Sequence, residues 1–351
     1  MSEAKEVKKE FKTALAAVND AYLPMITKQL ESNNITFSKY AKSCTVNAIA
    51  AINNVLDAQG ISWNDPSLDT SNMTQVLLTV ATLQLNATNT ANEVFFQIRN
   101  VSSKGADGKP VWKKKVELGV QADGWDSLLS RFGRNVKKVF PHWLVREDDE
   151  FKYPRYVGVE LTPPEWIPKG TGKVVRVVYP ILSTDNTIDY YISERADVKR
   201  NLIAHITNNL MNETFGICAD RYKADDSQKA EIAAKKRELL SKAKELDLDA
   251  LLDSAEFDKY ISPAWKEEQS RESMIIRKMR NNVVKKIPKS FSTSLESEIF
   301  NENTDEAYKA HKAEMLEASN EPLLDAEFGD GEQTSEGVDK TTGEVLDKPE
   351  F

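Results

Sequence analysis

Glu93-Val-Phe-Phe-Gln-Ile-Arg99 alternates with period two: Val94, Phe96 and Ile98 fall on one side of an extended chain, and Phe95, Gln97 and Arg99 on the other. The run predicts a strand with one face in a core. Ser103-Lys-Gly-Ala-Asp-Gly-Lys-Pro110 follows, and its glycines supply the positive φ that a hairpin loop needs. Val111-Trp-Lys-Lys-Lys-Val-Glu-Leu118 is then the returning strand, and the tip is basic. In the register that places Val116 and Leu118 on the buried face, Lys113 and Lys115 share the outer face with Phe95 and Arg99. Cations then flank an exposed ring.

Outward from this hairpin, Gly124-Trp-Asp-Ser-Leu-Leu-Ser-Arg-Phe132 predicts a short amphipathic helix closed by Gly133, and Asn135-Val-Lys-Lys-Val-Phe140 predicts the next strand. From Glu93 to Arg146 there are eleven Lys and Arg against five Asp and Glu, in a chain whose formal net charge is −8. The acid lies elsewhere. Residues 293–351 hold seventeen Asp and Glu against four Lys and Arg, which leaves forty-three basic against thirty-eight acidic residues before them. A basic body with an acidic tail implies an anionic partner for the body and a separate task for the tail.

A chain of 351 residues, 40% hydrophobic, is long enough for one large or two ordinary domains. No apolar run approaches the roughly 20 residues of a spanning helix, and Met1-Ser-Glu-Ala-Lys-Glu6 has no signal-peptide core, so a cytoplasmic protein is expected. Cys44 and Cys218 form no CxxC and the three histidines (142, 205, 311) are scattered, which argues against a disulfide framework or structural zinc. Both cysteines are expected as buried small hydrophobes.

The remaining periodicities predict helices over 3–31 (with Pro24 as a kink), 46–56 and 72–85 (with Ser71 as N-cap). Strands are predicted over 155–161 and 173–182, the latter turning through Thr184-Asp-Asn-Thr187 into 188–192, and a helix over 197–209. The Ala-, Lys- and Glu-rich stretch 226–252 predicts a long exposed helix. In a late helix over 263–288, Ile276, Met279, Val283 and Ile287 line one side, while Arg271, Lys278 and Lys285 recur on another with Arg277 beside them. Between Lys266 and Lys289 eight basic residues face three acidic ones. The expected fold class is α+β: a mainly antiparallel sheet and hairpin core flanked by helices. The expected organisation is an N-terminal helical region (1–90), a binding core (91–300) with a helical insertion around 210–258, and an acidic, largely disordered tail (301–351).

Several chemistries lack their motifs. Gly170-Thr-Gly-Lys173 suggests a phosphate loop, but the required first glycine is Ile167 and the residue after the lysine is Val174. Asp148-Asp149-Glu150 reads as a surface acidic turn, and no serine, cysteine or zinc-protease motif is present. The expectation is a binding protein and not an enzyme, with no cofactor and no metal.

Three segments in order resemble the RecT family of phage single-strand annealing proteins. They are Asn72–Leu85, the Phe95-Phe96 strand, and Val116-Glu-Leu-Gly-Val-Gln-Ala-Asp-Gly-Trp-Asp-Ser-Leu-Leu129. Val145-Arg-Glu-Asp-Asp-Glu-Phe151 is similar to that family's Val-x-Glu-Gly-Asp-x-Phe segment, and Trp265 with Ile276-Arg-Lys-Met279 to Pro288 resembles its late basic helix. The likeness covers roughly 70–155 and 260–290. It departs at Ala122-Asp123, where the family has Tyr and a basic residue, and at Glu272-Ser-Met274, where the family has Lys-Lys-Thr. The resemblance implies an ATP-independent recombinase of the bacterial host's cytoplasm that coats single-stranded DNA, anneals complements, and forms a ring or helical homo-oligomer. Its partners would be the annealed duplex, a phage exonuclease and the host single-strand binding protein, with no membrane.

The candidate nucleic-acid-binding residues are Phe95, Arg99, Lys109, Lys113, Lys115, Arg131, Arg134, Lys137, Arg271, Arg277, Lys278 and Lys285. A different class of function stays open: a structural or scaffolding phage protein whose basic face serves assembly. For the tail, Phe351 with its terminal carboxylate is a candidate partner-binding tip, and an acidic segment that only shields the basic groove or aids solubility is the alternative.

Overall fold

The computed structural model describes residues 13–104, 110–219 and 223–304. Thr13 accepts a hydrogen bond from Ala16 N and starts α1 (Ala14–Ser32), which contains Pro24. The part of the expected helix before residue 13 lies outside the described residues. Ser38 caps α2 (Lys39–Ala58) through Ala41 N at 3.0 Å. This helix begins earlier than predicted because its first inward positions, Ala41, Cys44 and Thr45, are small or polar and leave little hydrophobic signal. α3 (Thr70–Leu83) is buried at every position from Val76 to Leu83. Its N-cap is Asp69, which accepts from Asn72 N, and not the predicted Ser71. Asp69 N donates to Lys114 O at 2.9 Å, and this bond to the hairpin fixes where the helix can start.

The hairpin is β1 (Val94–Lys104) and β2 (Pro110–Val120), antiparallel with Val94 opposite Val120 and Arg99 opposite Lys115. Val94, Phe96 and Val116 enter the core, as the alternation predicts. The outer edge of β2 is closed by a parallel bridge in which Lys114 N donates to Ser67 O at 2.7 Å. α4 (Ala122–Phe132) packs directly onto the hairpin base. A Cβ at Gly124 would stand 2.1 Å from Glu93 O, so only glycine permits this approach.

β3 (Val136–Val139) and β4 (Trp143–Arg146) pair with successive parts of one later strand. Between β4 and that later strand in sequence lies an outlying pair of two-stranded ladders. β5 (Glu150–Lys152) pairs with β8 (Glu165–Ile167), and β6 (Arg155–Val157) pairs with β7 (Glu160–Thr162). The single strand expected over 155–161 is therefore folded back on itself, because Gly158 at φ +60° turns the chain. β9 (Val174–Ser183) is the centre of the main sheet, with β10 (Ile188–Glu194) on its other side.

α5 (Val198–Asn209) returns over the sheet. The long helix expected over 226–252 is two helices, α6 (Asp226–Glu245) and α7 (Leu248–Asp253), because Asp247 accepts from Ala250 N and starts a new turn. The late helix is likewise divided into α8 (Pro263–Lys266) and α9 (Glu268–Val284) by the extended Glu267. α10 (Ser294–Thr304) closes the described chain, with Phe300 edge-on to Trp125 at 6.1 Å and 4.9 Å from Phe291. One hydrophobic core runs through the N-terminal helices, hairpin, sheet and late helices, an α+β arrangement as expected. Cys44 is buried within it, whereas Cys218 is only half-buried, so the second cysteine departs from expectation. No helix among the described residues is long and apolar enough to cross a membrane. Residues 305–351, with the predicted tail and Phe351, lie outside the described residues, as do 105–109 with Lys109.

Candidate nucleic-acid interface

The hairpin's outer face carries Phe95, Gln97, Arg99 and Val101 opposite Gly119, Glu117, Lys115 and Lys113. Phe95 remains 45% exposed, and its ring lies across Gly119, where a Cβ would come within 2.2 Å of it. Glycine there is a seat for the ring. Cations follow along the face. Arg99 Nε meets Glu117 at 3.1 Å, Lys115 meets Asp69 at 3.6 Å, and the exposed Lys113 has no ion pair with a described residue. An aromatic plane beside two or three cations is suited to stack a base while its flanking phosphates are neutralised. Phe95→Ala is expected to weaken single-strand binding by about 1–3 kcal/mol per stacked base with an unchanged fold, read by fluorescence titration. Gly119→Ala is expected to reproduce much of that loss by displacing the ring.

Sequence reading missed Trp112. Its parity puts it with Val116 on the inward face, but the strands outrun the core at this end and Trp112 is 63% exposed. Lys114 shares that parity and pairs with Asp65 at 3.0 Å.

The structure places the other predicted cations in three environments. Arg131 and Arg271 are held by carboxylates. Arg131 donates to Glu93 at 3.3 Å and to Tyr40 Oη at 3.2 Å, and Arg271 pairs with Asp253 at 2.8 Å. Glu93 is itself buried and also accepts from Asn86 N and Ser127 Oγ, so Arg131 belongs to the joint between hairpin base and α4. Arg134 and Lys137 are exposed at the start of β3, with Lys137 donating to Asn186 at 2.6 Å. Arg134 N donates to Pro288 O, and Gly133 bridges Lys289, so these cations lie beside the end of the late helix. There Lys285 stands 4.6 Å over the Trp125 ring and Lys289 6.0 Å from it. Burial and the charge of Lys285 lower Lys289 to a pKa of about 8.

Arg277 and Lys278 occupy α9 facing the hairpin base and α8 respectively. Lys278 Nζ is 5.9 Å from the Trp265 ring. Arg277 lines a 460 Å³ cavity with Asn92 and Gln121, the residues that flank the hairpin. Its guanidinium donates to Met274 Sδ at 2.8 Å, has no ion pair with a described carboxylate, and is half-buried, which lowers its pKa from the ordinary value. A half-buried cation with no ion pair to a described carboxylate is suited to take an anion from outside, although Asp123, held by Arg280, lines the same cavity.

Its neighbour Arg280, which sequence reading passed over, behaves oppositely. It donates to Asp123 at 2.6 Å, Asp126 at 2.5 Å and the buried Tyr179 Oη at 3.2 Å. Burial works against its charge, but the two carboxylates hold its pKa above the ordinary value. Asp123, one of the departures from the RecT pattern, therefore ties α4 to α9.

The acidic turn and the Gly-Thr-Gly-Lys loop satisfy each other. Asp149 accepts from Arg146 N, Trp166 Nε1, Lys169 N and Gly170 N, which holds its pKa near 2, and Thr171 Oγ1 donates to Asp148. Among the described residues no group of three His, Cys, Asp or Glu is arranged to hold a metal. No protein-family model matches this sequence, and no curated protein matches it.

Proposed function

We propose that this chain binds single-stranded DNA along the hairpin's outer face and the late helix, and anneals complementary strands without nucleotide hydrolysis. The observation that carries the reading is Phe95, an exposed ring seated on Gly119 in a row with Arg99, Lys115 and Lys113, the last with no ion pair to a described residue. Such a surface binds through phosphate charge and base stacking, both indifferent to sequence, and annealing requires that indifference. Arg277 extends the anion-binding surface to the cavity at the hairpin base. In this reading the protein acts as a homo-oligomer on DNA inside a bacterial host, holding bases available for pairing, and performs no covalent chemistry.

Competition tests it. A labelled single strand bound to the protein should be displaced by excess unlabelled single strand of unrelated sequence, with affinity falling steeply as salt rises. Indifference to nucleic acid at low salt would contradict it and favour an assembly role for the basic face.

A further inference from the structure

The polar surface of α9 continues past Arg277. Asn281, Asn282, Lys285 and Lys286 line, together with Arg200 and Asn201 of α5, a second cavity of 400 Å³. Its lining side chains include three cations and three amides and no carboxylate. Arg200 meets Asp197 at 3.5 Å in an exposed pair that contributes little, because water screens it. Like charges gathered in a concavity repel one another unless an anion shares the space. Amides add direction to that charge. Asn282 Nδ2 donates to Asn201 Oδ1 at 2.9 Å, and the buried Asn281 Oδ1 has no hydrogen-bond donor among the described residues. An anion that also carries donors and acceptors, such as a nucleotide unit of a strand, matches this set better than a bare phosphate.

We infer that a nucleic-acid strand runs along α9 from the Arg277 cavity to this second one, with Arg200 and Lys286 taking its phosphates and the asparagines facing a sugar or base edge. The inference rests on the strand-binding reading above and adds α5 to the interface. From Arg277 to Lys285 the chain advances about 12 Å at 1.5 Å per residue, room for at most about three to four nucleotides at the stacked spacing of about 3.4 Å.

Arg200 and Lys286 are both exposed, so replacing them spares the core. The test is the salt dependence of oligothymidine binding by the full chain and by Arg200→Ser with Lys286→Ser, with circular dichroism confirming an unchanged fold. The variant should lose about 0.7 from the log–log salt slope per lost contact, about 1.4 for the pair. The loss should vanish for oligonucleotides shortened by about four nucleotides, which no longer reach α5. If the wild-type chain binds and the variant has the same slope and affinity at every length, the path along α5 is wrong while the hairpin reading stands. If the wild-type chain binds no strand, both fall.

Discussion

Lys113→Ser combined with Lys115→Ser is expected to lower single-strand affinity on the order of tenfold at 0.1 M salt and to remove about 1.4 from the salt slope, since each lost phosphate contact on a single strand is worth about 0.7. The two lysines lie on the outward face of β2, on the same side as Phe95, and neither contributes to the core. Lys113 should account for more of the loss. Lys115 already shares its charge with Asp69 at 3.6 Å, whereas Lys113 has no described acid beside it. Single-substitution titrations at several salt concentrations separate the two. Equal losses would mean that the Asp69 contact does not hold Lys115 in solution, and no loss from either would move the binding surface off the hairpin.

The second large effect is on stability. Arg280→Met leaves Asp123, Asp126 and the Tyr179 hydroxyl facing each other without their cation. Breaking a largely buried pair from one side costs about 3–5 kcal/mol, because the remaining charge stays desolvated. Arg280 is 15% exposed, but the carboxylates left behind are 25% (Asp126) and 49% (Asp123) exposed, so water offsets part of that cost and urea denaturation should show the remainder as a lowered midpoint. Replacing Asp126 by Asn in the same chain should recover part of the loss. A variant that keeps its midpoint but loses strand binding would instead assign Arg280 to the DNA surface.

The hairpin was legible because one face enters a core: Val94, Phe96 and Val116 fix the register, and Phe95, Arg99, Lys113 and Lys115 follow by parity. β9 and β10 were legible for the same reason, with an Asn186 turn between them. Parity fails where a strand leaves the core: it would put Trp112 on the face of Val116, yet Trp112 stands outside. It also says nothing of a reversal inside an apolar run, and Gly158 turned one predicted strand into two. The late helix showed a surplus of cations but not which were already neutralised. Arg271 and Arg277 look alike in sequence, yet one meets Asp253 and the other, among the described residues, has no ion pair and donates to Met274. The carboxylate partners of Arg280 lie more than 150 positions away, beyond the reach of any local pattern.

The central claim is annealing, and the most direct measurement is the pairing of two complementary oligonucleotides carrying a fluorophore and a quencher, with EDTA and no ATP. The account predicts that the protein accelerates quenching well above the spontaneous rate, and that an excess of unrelated single strand suppresses the acceleration. A rate unchanged by the protein at low salt, or an acceleration that requires ATP, would contradict it.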